Sequence, residues 1–193
     1  MIDLITTAPT TGSILIAQPF MRDTHFKRSV VLLTEYEKEG ILGYVLNKPT
    51  EFLLHDLLPD MEGLIPDFNP NVYMGGPVQL DTLQYIHTLG DKIEDANPIV
   101  GNIYMGGDFQ SLLNLAKNGW LNDQNIKFFI GYSGWNFNQL NDEIDTNSWI
   151  IAKANADKIL AKNAHNDFWK NSIADLGKNY KPMVNYPEDL AWN

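Results

Sequence analysis

Ser133 stands in Gly131-Tyr132-Ser133-Gly134-Trp135, between an apolar run and a polar helical pattern. A strand-to-helix turn of this kind can raise a serine hydroxyl as a nucleophile, but the G-x-S-x-G elbow requires glycine where this chain carries Trp135. A hydroxyl that caps a turn is the expected role. The four histidines, His25, His55, His87 and His165, show no H-x-H, H-x-x-x-H or H-E-x-x-H spacing, so no single element offers two metal ligands and no metal site is expected. His87, in Gln84-Tyr85-Ile86-His87, falls on an expected strand. Its intrinsic basicity suits acid–base work near neutral pH, and a hydrogen-bonded structural imidazole is the simpler expectation. Gly75-Gly76 and Gly106-Gly107 each follow an apolar stretch, where main-chain amides can converge on an anion. Pro77 removes a donor after the first pair and Asp108 competes for the helix start after the second, so turn formation is expected at both. Asp142, Glu143 and Asp145, like Asp91, Glu94 and Asp95, read as solvated acidic surface. No Walker or dinucleotide fingerprint occurs, and no cofactor is expected.

The bulk composition narrows the chemistry further. The chain has 193 residues and no cysteine, which removes disulfides, thiolate metal sites and a cysteine nucleophile. Twenty-four acidic against fourteen basic residues leave a net charge of −10, which repels phosphate backbones and anionic lipid, so neither nucleic acid nor membrane is an expected partner. The N-terminal segment has no basic leader region and only short apolar runs, from which a cytoplasmic address is expected. The length fits one domain spanning 1–193, with a core of about 12–177 and an irregular aromatic tail over 178–193.

The elements that must position these residues follow from the apolar pattern. Strands are expected over 13–17 and 29–34, a hairpin over 29–47, and further strands over 71–74, 83–89, 99–105, 126–132 and 149–152. Thr50 is expected to cap a helix carrying Leu53, Leu54, Leu57 and Leu58, and the proline-rich stretch 59–70 is expected as a long loop. Asp108 reads as the cap of a helix over 109–118, a half-exposed helix starts near Asn136 or Asn138, and shorter helical patterns cover 157–162 and 167–176. Strands and helices that mix without strict alternation point to an α+β fold. Val72 to Gly76 and Ile103 to Gly107 form one internal echo, read as two strands that end in Gly-Gly turns.

Several ordered stretches together resemble the YqgE/AlgH family: Gly12 to Pro19, Phe26 to Val31, Gly40 to Pro49, Gly75 to Val78, Gly131 to Trp135, Gln139-Leu140, Glu143 and Asn147 to Trp149. The resemblance implies a single α+β domain with a bifurcated, barrel-like mixed sheet flanked by helices, in bacterial cytoplasm. It brings only the label of a transcriptional regulator, and no helix-turn-helix, zinc or ribbon motif accompanies that label. Positions that match the family and also carry polar or backbone chemistry are Arg28, Asn47, Gly75, Gly76, His87, Ser133 and Trp135; these are the candidate ligand-binding residues.

Two functions are open at this point. One is a non-enzymatic binding or regulatory module for a protein partner or small ligand. The other is a small enzyme that uses Arg28, His87 and Ser133 near the Gly75-Gly76 turn for acid–base chemistry on an anionic substrate.

Overall fold

The computed structural model describes residues 8–65, 67–160 and 165–187. The N-terminal head, part of the 157–162 helical pattern and the end of the aromatic tail lie outside the described residues.

The fold is a mixed α+β domain built on one curled sheet. Strands β1 (Ser13–Ala17), β2 (Val30–Tyr36) and β3 (Ile41–Val45) form where β-branched and aliphatic residues run together, and all three are almost wholly buried. The β2–β3 hairpin forms as expected, with one register shift between Leu33 and Glu35. Strand β10 (Trp149–Lys153) pairs antiparallel with the other side of β1.

The long strand β9 (Ile126–Trp135) divides the sheet. Along one edge it carries β6 (Val78–His87), antiparallel from Val78↔Tyr132 to His87↔Ile126. Its other edge is shared. Strand β5 (Asn71–Met74) runs parallel against Phe128 to Ile130, and β3 pairs antiparallel with Ser133 to Trp135. This is the fork of a bifurcated sheet, and with β7 (Asn97–Val100) and β8 (Ile103–Met105) the order β10-β1-β2-β3-β9-β6-β8-β7 passes through it.

Three expectations are corrected. The run 99–105 is two strands, β7 (Asn97–Val100) and β8 (Ile103–Met105), because Gly101 takes a left-handed φ of 57° and turns the chain back. Thr50 caps no helix: Pro49–Leu53 is β4, paired with β5, and only Leu54–Leu57 (α1) is helical. The Thr50 hydroxyl instead donates to the Val72 carbonyl at 2.8 Å. Ser133 does not cap a strand-to-helix turn, because β9 continues through it to Trp135. Asn136 takes that role, its side chain accepting from the Gln139 amide ahead of α3 (Phe137–Asp145).

The remaining helices add to two separate cores: Leu112 and Ala116 to the one around Phe128, and Ile159, Trp169 and Ile173 to the one around Phe129, Ile16 and Leu32. Asp108 caps α2 (Phe109–Lys117) by accepting from both the amide and the hydroxyl of Ser111. These bonds, the hydroxyl's first, hold its carboxyl below the usual range. Helices α4 (Ala156–Ile159) and α5 (His165–Asp175) follow β10, and Lys181–Asn185 forms a short 3-10 turn within the expected irregular tail. Trp169 anchors α5 in the core, with its indole N–H donating to Ala17 O at 2.8 Å.

The curl brings β7 against the start of β1 without strand pairing between them. A Cβ on Gly12 would lie 2.8 Å from Val100 Cβ, so glycine allows this approach. Side chains of β7 thus meet the chain just ahead of β1 where no strand pairing joins them.

Candidate functional site

Gly75 and Gly76 occupy the fork. The Gly75 amide donates to Ile130 O of β9, and its carbonyl receives the Val45 amide of β3, both at 2.9 Å. The Ser133 hydroxyl donates to the same carbonyl, also at 2.9 Å, and Ser133 is fully buried. Its proton thus closes the fork and has no base beside it among the described hydrogen bonds. A Ser133→Ala variant is expected to lose about 1 kcal/mol in urea denaturation, because Gly75 O keeps its bond from Val45. A loss above about 3 kcal/mol would show that the hydroxyl carries more than this one bond.

Arg28 and Asn47 form a second pair. Arg28 holds a left-handed φ of 56° two residues before β2 begins. The Asn47 amide group donates to Arg28 O at 2.8 Å, and its oxygen accepts from the Val30 amide at 2.9 Å. The buried asparagine clips that turn in place. The Arg28 guanidinium lies 4.0 Å over the Trp169 ring and donates to Tyr186 O at 2.6 Å, tying the C-terminal segment to α5.

His87 stands alone at the far end of β6. It is fully buried, its Nδ1 accepts from the Leu89 amide at 3.1 Å, and its Nε2 lies 3.0 Å from Gly106 O. Those partners specify the neutral Nε2–H tautomer, with the ring stacked 5.9 Å from Tyr104. Burial lowers its pKa, with the Gly106 bond opposing. His87 pairs with Ile126 and Ser133 with Gly43, seven residues apart along β9, or roughly 23 Å. Arg28, His87 and Ser133 therefore do not converge.

Trp135 belongs to an aromatic cluster on the outer layer. Phe26 stacks on it at 5.5 Å and meets Trp149 edge-on at 5.3 Å. Both indole N–H groups donate to Glu143 Oε2, at 3.1 Å from Trp135 and 2.7 Å from Trp149. Glu143 is thus a structural acceptor and not the solvated surface carboxylate its acidic neighbours suggested. None of the seven candidate residues lines either cavity described below.

A cavity of about 810 Å³ is lined by Thr88, Asn102, Asn122, Asp123 and Asp157 together with Ala156 and Leu160. A cleft of about 630 Å³ lies between the barrel and helices α4 and α5. Its apolar surface comes from Ile14, Leu46, Ala152, Ile159, Phe168 and Leu176, and its charged groups are Lys153, Lys158 and Asp175. The Lys158 and Asp175 side chains, about half exposed, pair at 2.6 Å. An apolar cleft with a few polar groups has the character of a small-molecule site.

Lys127, which the sequence reading missed, lies behind that cleft. It sits in β9 among Ile126, Phe128 and Phe129 and is only 8% exposed. Its ammonium donates to Leu46 O and Ile159 O, both at 3.3 Å, and lies 4.5 Å over the Tyr73 ring. Leu46 and Ile159 themselves line the cleft. Burial pushes the amine down to about 8. The available signal was a single cation inside an otherwise apolar strand.

Among the described residues no helix is long and apolar enough to cross a membrane. The AlgH-like family model matches residues 14–181. A UPF0301 protein of Parabacteroides distasonis is 43% identical over 186 residues, covering 96% of this chain and 92% of the relative. One from Cytophaga hutchinsonii is 39% identical over 185 residues, covering 95% and 99%. A crystal structure of a Corynebacterium diphtheriae protein shares the fold at a TM-score of 0.76 and 19% identity, over 93% of this chain and 94% of that one. The solution structure of AlgH from Pseudomonas aeruginosa matches at a TM-score of 0.68 and 27% identity, over 94% and 97%. The forked sheet is thus shared with AlgH, and the chain belongs to the AlgH-like, UPF0301 family.

Proposed function

We propose that this protein is a non-enzymatic binding module of the bacterial cytoplasm that holds a small ligand with an apolar body in the cleft beside α4 and α5. The observation that carries the proposal is the cleft itself: about 630 Å³, with an apolar floor and charged groups at Lys153, Lys158 and Asp175. The polar candidates from the sequence support a binding role over catalysis, since Ser133, His87 and Asn47 spend their hydrogen bonds on the main chain. A regulatory role fits the same site, because a ligand between the barrel and two helices can bias how those helices pack.

Octanol, a neutral eight-carbon alcohol, tests the reading. Isothermal titration is expected to show saturable binding to the native chain. An Ala152→Phe variant, which fills the cleft, should bind at least about tenfold more weakly while keeping its circular dichroism. No saturable binding to the native chain, or equal affinity in the variant, would remove the cleft as the site.

A further inference from the structure

The cleft's electrostatics run against those of the chain. The protein as a whole carries a net charge of −10. The cleft lining, however, has two lysines against one carboxylate, and the Lys127 ammonium lies just behind it. Among the described residues no carboxylate forms an ion pair with Lys127; its partners are two carbonyls at 3.3 Å and a tyrosine ring. Carbonyl dipoles at that distance offset an ammonium's lost hydration only in part, so the buried charge is left without a counter-ion.

One of the two carbonyls belongs to Ile159, the last residue of a helix only four residues long. A single turn of helix has little cooperativity of its own and is held mainly by packing. Ile159 forms part of the cleft lining, and Lys127, which is not itself in the lining, donates to its carbonyl.

We infer that the cleft's ligand is an amphipathic monoanion, a carboxylate on an unbranched apolar chain, and that Lys127 is its counter-charge. This rests on the cleft being the binding site. The chain lies on Ile14, Leu46, Ala152 and Phe168, and the carboxylate takes the place of Ile159 O on the Lys127 ammonium as α4 gives way. Exchanging a neutral carbonyl for a charged acceptor shortens and strengthens the bond. A carboxylate suits the site better than a phosphate, because the lining contains no arginine to fork onto a dianion.

The test compares octanoate with octanol, which share a chain and differ in the head. Octanoate is expected to bind the native protein at least about tenfold tighter than octanol. Lys127→Met keeps the length and removes the charge, so octanol affinity should persist while the preference for octanoate falls to about one. Equal affinities in the native protein would overturn the inference and leave the cleft assignment standing. Binding of neither compound would overturn both. If Lys127→Met keeps the preference, the counter-charge lies elsewhere and Lys127 is excluded. Should that variant fail to fold, the native comparison still decides whether the cleft selects an anion, and Lys127→Arg, expected to retain the preference, tests the position.

Discussion

A Gly76→Ala variant is expected to lose on the order of 3 kcal/mol of stability, with Gly75→Ala close behind. A methyl group on Gly76 would sit 2.3 Å from Ser133 N and from Tyr132 C and O, and one on Gly75 would sit 2.3 Å from Gly131 O. All of these are main-chain atoms of β9, which cannot rotate aside. The strands must separate or β9 must bend, and either loosens the bonds that Gly75 makes to Ile130 and Val45. Gly40→Ala provides the comparison, since nothing lies within 4 Å of its added carbon. It should change stability by no more than a few tenths of a kcal/mol. Urea denaturation with unchanged slope measures all three. If the Gly76 and Gly40 variants share a midpoint, the fork is looser than described and its glycines are ordinary turn residues.

Lys127→Met should act in the opposite direction and stabilise the protein at neutral pH. Burial lowers the Lys127 pKa from 10.5 to about 8. Between those values the unfolded chain holds a proton that the folded chain releases, so folding is favoured as pH rises through the window. The contribution is fully present above 10.5 and is lost as pH falls to about 8; below that, the folded state carries the whole cost of the buried ammonium. At 1.36 kcal/mol per unit the burden is on the order of 3 kcal/mol, and methionine removes it at the loss of two long hydrogen bonds. A gain of roughly 2–3 kcal/mol is expected at pH 7, fading toward zero as the pH approaches the ordinary lysine range. A variant less stable than the native protein at pH 7 would mean that the carbonyls and the Tyr73 ring hold the ammonium at a net profit in free energy. The expected gain would place a charge that costs stability beside a cleft, the pattern expected where stability is traded for binding.

The fold was legible wherever one physical signal acted alone. The aliphatic runs of β1, β2 and β3 specify buried strands, and Asp108 before Phe109 specifies a capped helix that forms with that cap. Errors arose where two signals competed. Leu53, Leu54, Leu57 and Leu58 keep helical spacing, yet pairing with β5 draws Pro49–Leu53 into a strand, a tertiary contact that local periodicity does not report. Gly101 lay inside an apolar stretch and read as strand, while its positive φ makes the turn between β7 and β8.

The candidate residues were found more readily than their use. Arg28, Asn47, Gly75, Gly76, Ser133 and Trp135 were singled out for chemical character, and each makes or permits a contact that holds the fold together. Which group donates to which carbonyl depends on strands meeting from distant parts of the chain, and no local pattern encodes it. Lys127 escaped notice for the converse reason: one lysine in a strand is usually a solvated edge residue, and only the curl of the sheet turns it inward.

The seam between β7 and the start of β1 has a mechanical corollary. Neighbouring strands of the sheet are joined by ladders of main-chain hydrogen bonds, whereas β7 meets the chain at Gly12 by packing, through the Val100 side chain and the Ile99 carbonyl. Ile14, two residues beyond Gly12, forms part of the cleft and packs in the same core as Val100. This contact beside the cleft thus rests on shape and not on main-chain pairing, and its fit depends on there being no side chain at Gly12.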